Sequence, residues 1–213
     1  MIVRLPPLAP GLRVGLYGGS FNPAHAGHRH VSRLALRRLA LDRVWWLVSP
    51  GNPLKDRSHL PEAAARAAGA RAVAADPKIA VTDFEAGLGE GRLGIRYTID
   101  TLRWLTLRHP EVRFVWIMGA DSLASFHRWK GFREIAARMP FAVIDRPGYT
   151  LKAMASPAAR LLAASRIGEA AAPTLADRAP PAWVFLHGPR SSLSSTALRA
   201  GAAPRRQGAT NRD

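Results

Sequence analysis

Short apolar runs alternate along the chain with longer stretches in which apolar residues recur every three to four positions. Compact runs bounded by turn residues read as buried strands, and amphipathic stretches read as helices. Residues 14–17 form the first strand, closed by Gly18-Gly19. Residues 27–40 follow as a helix, with Val31, Leu34, Ala35 and Leu39 on one face and Arg33, Arg37 and Arg38 largely opposite. A strand over 44–49 ends at the turn Pro50-Gly51-Asn52-Pro53. Residues 61–75 read as an Ala-rich helix with Pro61 in its first turn.

A strand over 79–84 comes next, then a Gly-rich loop over 87–94. A helix over 97–109 is stopped by Pro110, and 113–118 is the most apolar strand. Short helical patterns around 122–127 and 132–139 precede a strand over 141–145, ended by Pro147-Gly148. The Ala/Pro-rich stretch 151–181 is the least legible; a helix over 156–166 with loop around it is the expectation. A last strand over 182–187, a helix opening over 194–199 and a disordered tail over 202–213 complete the reading. No internal repeat is present. Alternating strands and helices predict an α/β fold: a Rossmann-like parallel sheet with helices on both faces, in a single domain whose core covers about 13–200. Such sheets bind ligands at the carboxyl ends of their strands, beside a topological switch point.

Composition narrows the function. At 213 residues the chain is long enough to bury a sizeable core without staples. Without Cys it has no disulfide scaffold, thiolate metal site or Cys nucleophile. The net charge of +16 invites a nucleic-acid partner. Yet the basic residues are 27 Arg against only Lys55, Lys78, Lys130 and Lys152, a bias that GC-rich coding also produces. Both termini removed, +12 remains on the body, which suits a small polyanion such as a nucleotide equally well. No apolar run approaches the ~20 residues of a membrane span, and Pro6, Pro7 and Pro10 break any signal-like stretch, so the expected location is the cytoplasm.

Candidate chemistry concentrates in Gly18-Gly19-Ser20-Phe21-Asn22-Pro23-Ala24-His25-Ala26-Gly27-His28, between the first strand and the first helix. The pair of glycines allows a sharp turn and close approach to a ligand. The segment matches neither the dinucleotide fingerprint nor a P-loop. His25 and His28, three apart at a helix start, share one face beside free backbone N–H groups, a setting suited to phosphate. The alternatives are capping or packing, and zinc, for which no clear third ligand is present. Near the other end, Ser194 or Ser195 can cap a helix whose start, with Thr196 and Arg199, again offers donors to an anion; ordinary capping explains this segment equally well.

Together the two segments resemble the nucleotidylyltransferase superfamily, with its His-x-Gly-His and Ser-Ser/Thr-x-x-Arg patterns, here His25-Ala26-Gly27-His28 and Ser195-Thr196-Ala197-Leu198-Arg199. Within it the chain resembles the nicotinate-nucleotide adenylyltransferases, through Asn52-Pro53-Leu54-Lys55, Tyr97-Thr98, Gly119-Ala120-Asp121-Ser122-Leu123, Phe126 through Trp129, and Asp145-Arg146-Pro147-Gly148. The resemblance implies adenylyl transfer from ATP to nicotinate mononucleotide, with Mg²⁺ carried on the ATP phosphates, no metal site built by the protein, and no covalent intermediate.

It also implies roles. His25 and His28 would hold the ATP phosphates, with His28 at the α-phosphate, while Lys55 and Arg199 neutralise the leaving phosphates and Ser195 and Thr196 donate hydrogen bonds. Gly18, Gly19, Ser20, Phe21 and Gly119 would line the ATP site, and Asp121 would accept from a ribose hydroxyl. Asn52, Lys55 and Arg146 would serve the acceptor nucleotide. Trp129 would stack on its pyridine ring, and the Tyr97 and Thr98 amides would hold its carboxylate. Core packing for Trp129 and helix capping for Asp121 are the plainer alternatives. One departure stands out: Arg96 occupies a position where the family often has a small residue. Other acceptors (the amide nucleotide, phosphopantetheine, a phosphorylated alcohol) and, from another class, a basic nucleic-acid-binding protein are the competing readings. No specific nucleic-acid or membrane partner is expected, and a homo-oligomer is left open.

Overall fold

The computed structural model describes residues 5–51, 60–89 and 95–188. Seven strands form one parallel sheet in the order β3-β2-β1-β4-β5-β7-β6. They are β1 (Arg13–Gly19), β2 (Arg43–Val48), β3 (Ile79–Thr82), β4 (Arg113–Gly119), β5 (Phe141–Ile144), β6 (Arg166–Ile167) and β7 (Trp183–Leu186). The helices are α1 (Ala26–Arg38), α2 (Ala63–Ala74), α3 (Phe84–Gly89), α4 (Thr98–Arg108), α5 (Ala120–Ser125), α6 (Phe132–Arg138), α7 (Thr150–Met154) and α8 (Pro157–Leu161).

A parallel sheet must be covered on both faces, and the alternation along each strand does this. Val14, Leu16, Trp45, Leu47, Phe114, Trp116, Phe141 and Trp183 pack against α4, α5, α6 and α8. Tyr17, Val44, Trp46, Val115, Ile117, Ala142 and Val184 pack against α1, α2 and a 3₁₀ run at Glu169–Asp177. Successive strands step from β1 out to β3; the chain then crosses back and places β4 on the other side of β1. That reversal is the switch point, and the loops after β1 and β4 border the crevice above it.

The expected α/β architecture is present, with local differences. The third strand ends at Thr82 rather than running to residue 84: Thr82 Oγ1 accepts from the Phe84 amide at 3.3 Å, turning the chain into α3. The Gly-rich stretch expected as loop is therefore helical through Gly89. Pro61 lies ahead of α2 instead of within its first turn. The helix expected over 156–166 begins as expected, with Ser156 accepting from the Ala159 amide at 3.2 Å and Pro157 at the first position, but it ends at Leu161, followed by a 3₁₀ turn at Ala163–Ser165 and the short β6. The helix expected over 194–199 and the tail over 202–213 lie outside the described residues.

Stretch 151–181, opaque in sequence, acts as a strap. The Asp177 carboxylate pairs with Arg13 and Arg113 at the starts of β1 and β4. Glu169 pairs with Arg38 of α1 at 2.7 Å and receives the His187 amide at 3.0 Å. Removing the Ser156 cap should cost about 1 kcal/mol; urea unfolding of Ser156→Ala checks this, and unchanged stability would mean that the cap contributes nothing to α8.

Candidate active site

β1 delivers the segment Gly18–His28 to the crevice. Gly18 is glycine for packing: a Cβ there would meet the Trp116 ring at 2.5 Å. The left-handed residue of this segment is not one of the two glycines but Phe21, with φ of 47°. A bulky residue in that region is strained, and its ring is anchored below. It stacks on Trp46 at 5.0 Å and lies 4.8 Å from the His28 ring. Phe21 is thus buried beneath the histidines rather than exposed to a ligand.

The structure brings His25 and His28 together, ring centroids 3.9 Å apart. His25 caps α1, its Nδ1 accepting from the Gly27 amide at 3.1 Å. His28 Nδ1 in turn accepts from the His25 amide at 3.1 Å. A backbone N–H can only donate, so each Nδ1 is an acceptor and each neutral ring carries its proton on Nε2. Burial, then the neighbouring His25 and Arg146, push the His28 pKa down to about 3. Burial, then Arg146, also lower that of His25. The pair is therefore two neutral Nε2–H donors. Behind it, buried Ser32 accepts from Trp46 Nε1 at 2.6 Å and donates to the His28 carbonyl at 2.9 Å.

From the other side of the switch point come Gly119, Asp121 and Arg146. Arg146 lies close enough to Tyr17 to lower its pKa, but burial is the larger effect and raises it. Arg146 Nε stands 3.5 Å from Asp121 Oδ1, an ion pair too long for a hydrogen bond, and this buried oxygen has no donor. A Cβ at Gly119 would meet the same oxygen at 2.3 Å, so glycine is required for the close approach.

The acceptor-side residues are only partly as expected. The Tyr97 amide donates to Asp100 Oδ2 at 3.1 Å, as does that of Arg96 at 3.3 Å, so the Tyr97 N–H is engaged within the chain. Thr98 opens α4, where helix amides lack intrahelical partners. Trp129 is half-buried, edge-on to Trp116 at 6.4 Å and to Phe126 at 5.4 Å. Sequence reasoning missed two residues: Lys130, whose ammonium lies 4.3 Å over the Tyr97 ring, and Arg66, buried beside the Ser20 carbonyl. Neither sits in a motif; only the ring contact and the burial reveal them.

Asn52, Lys55, Ser195, Thr196 and Arg199 lie outside the described residues. Among the described residues no three His, Cys, Asp or Glu side chains converge to hold a metal ion. Nor, among them, is any helix long and apolar enough to cross a membrane.

A parallel sheet with a histidine pair at the switch point between β1 and β4 is a nucleotide-transfer architecture. The chain belongs to the cytidylyltransferase-like family, whose profile matches residues 16–201. It is 68% identical over 188 residues, covering 88% of the chain and 99% of the relative, to a probable nicotinate-nucleotide adenylyltransferase of Methylorubrum extorquens. A protein of the same description from a Bradyrhizobium species is 57% identical, covering 88% of the chain and 95% of that relative. The Plasmodium falciparum nicotinic acid mononucleotide adenylyltransferase, solved with NaAD, shares the fold at TM-score 0.64 and 18% identity, covering 89% of this chain and 83% of that one.

The His28 shift has a sign that can be checked. An unfolded histidine titrates near ~6.5, whereas folded His28 titrates at about 3. Between these values the unfolded chain binds the extra proton, so stability falls as pH drops below about 6.5, by at most about 1.4 kcal/mol per unit. His28→Asn keeps an acceptor for the His25 amide but does not titrate. The stability gap between wild type and this variant should shrink by about 2 kcal/mol from pH 7 to pH 5 in urea unfolding. A constant gap would mean His28 is not held neutral.

Proposed function

We propose that this chain transfers the adenylyl group of ATP to nicotinate mononucleotide, forming nicotinate adenine dinucleotide and pyrophosphate. The observation that carries this reading is the neutral histidine pair at the switch point, its Nδ1 atoms fixed by backbone amides and its Nε2–H groups left as donors. The description of the 68%-identical relative agrees with it.

The 5′-phosphate oxygen of the mononucleotide attacks the α-phosphorus of ATP in line. One P–O bond forms, the bond to the β-phosphate oxygen breaks, and pyrophosphate leaves with the electron pair. No proton need move to the protein, so the chain's work is positioning and stabilising charge. Nε2–H of His28 donates to an α-phosphate oxygen and that of His25 to an adjacent one; neutral rings can enter and leave this contact without titrating. Lys55 and Arg199 neutralise the departing phosphates, with Ser195 and Thr196 as donors. Gly119 lets the Asp121 carboxylate approach, and the half-exposed carboxylate accepts from a ribose hydroxyl. Arg146, paired with Asp121, serves the acceptor phosphate, with Asn52 beside it.

The pyridine ring rests on Trp129. Its carboxylate meets the orphan Thr98 amide and the Lys130 ammonium, which favours the acid over the amide nucleotide because a cation adds nothing for a neutral carboxamide.

Incubation with ATP, Mg²⁺ and either mononucleotide, with dinucleotide and pyrophosphate as readouts, tests the reaction; no product from either acceptor would overturn it. His28→Ala should lower kcat at least ~100-fold with the fold intact, the usual loss for one transition-state donor. Near-normal turnover would remove His28 from the chemistry. Lys130→Gln should lower the acid-to-amide ratio of kcat/KM by roughly 10-fold, the value of one exposed charge contact of about 1.4 kcal/mol; an unchanged ratio would place selectivity elsewhere.

A further inference from the structure

Arg66, on α2, is only 5% exposed, and among the described residues no carboxylate pairs with it. Its guanidinium is used entirely on backbone carbonyls: Nε donates to Pro61 at 2.8 Å, one terminal nitrogen to Ser20 at 2.5 Å, and the other to Ser49 at 2.8 Å. Burial depresses its pKa, but a guanidinium remains charged in proteins. A buried, unpaired cation is costly to a fold. What it joins accounts for its presence. Ser20 lies in the segment that carries His25 and His28; Ser49 follows β2, where the chain leaves for residues 52–59; Pro61 stands where the described chain has returned.

We propose that Arg66 is a positioning residue for phosphate binding: its planar fork sets the spacing between the histidine segment and the two ends of the 50–61 connection, and its charge, without a carboxylate partner among the described residues, lies behind a site that receives a polyanion. Each carbonyl needs a donor in a different direction, which a rigid fork supplies and a single ammonium does not. Carbonyl dipoles offset the charge locally but do not cancel it, so a phosphate chain bound at the histidines feels a net attraction from within the protein. The proposal rests on the adenylyl-transfer reading for its substrate and on these hydrogen bonds for its geometry.

Two variants separate the fork from the charge. Arg66→Lys keeps the charge and loses the three-way spacing; kcat at saturating substrates should fall about 10- to 100-fold, the range for an active site displaced by about an ångström, with little rise in KM for ATP. Arg66→Met loses both, and KM for ATP should rise as well. A purely structural Arg66 would lower the melting temperature while leaving kcat and KM of the folded fraction at wild-type values, and that result would overturn the proposal. Should the variants fail to fold, the wild type decides. The Nε–Hε resonance of Arg66 should exchange slowly and shift when ATP is added, and an ATP-bound protein with that resonance unmoved overturns the coupling. Wild-type protein that binds ATP and shifts this resonance but makes no dinucleotide would refute the assigned reaction and leave the role of Arg66 standing.

Discussion

In a parallel sheet every strand ends at the same edge, so the loops that follow the strands are gathered there whatever their distance in sequence. Here the order β3-β2-β1-β4-β5-β7-β6 sets β1 beside β4 with helices leaving on opposite faces. Residues 25–28 and 119–121, nearly a hundred positions apart, become the two rims of one crevice. Everything the site does depends on that adjacency, and the adjacency depends on apolar side chains burying both faces of the same strands.

The histidine pair shows how little freedom remains once the frame is set. Each ring is held by a backbone amide, the rings touch one another, and Phe21 and Trp46 fill the space beneath. A charged imidazole in that setting would be desolvated beside another imidazole and a guanidinium, so neutrality is imposed by packing rather than chosen by pH. Rigidity and protonation state thus have one cause. The left-handed Phe21 is tolerated because its ring is enclosed on several sides.

Much of the frame was legible because strands such as 113–119 are dense apolar runs with sharp turn signals, and the histidine segment because its spacing at a helix start has a direct geometric meaning. The early end of the 156–166 helix at Leu161 was not legible: alanines carry no face, so periodicity is silent there. The glycine pair carries a sequence signal for a turn, but Gly18 answers to the Trp116 ring, and the left-handed residue is Phe21. Arg66 was invisible for a different reason. Its neighbours in sequence are alanines, and its partners are carbonyls, which every residue possesses. The +16 charge is no guide to the site: it does not single out Arg146, which pairs with Asp121, or Arg66, which is buried on backbone carbonyls.

Arg13 and Arg113 are direct partners in the register between β1 and β4, and the Asp177 carboxylate bridges them. Like charges facing across strands repel, so the seam that opens into the crevice at one end is stitched at the other by a residue from the least patterned part of the chain. For evolution this makes the 151–181 stretch free in content but not in reach. Exposed alanines such as Ala155, Ala163, Ala164 and Ala170 can drift, whereas an insertion or deletion that shifts where Asp177 arrives would convert a bridge into a repulsion at the base of the two strands the site depends on.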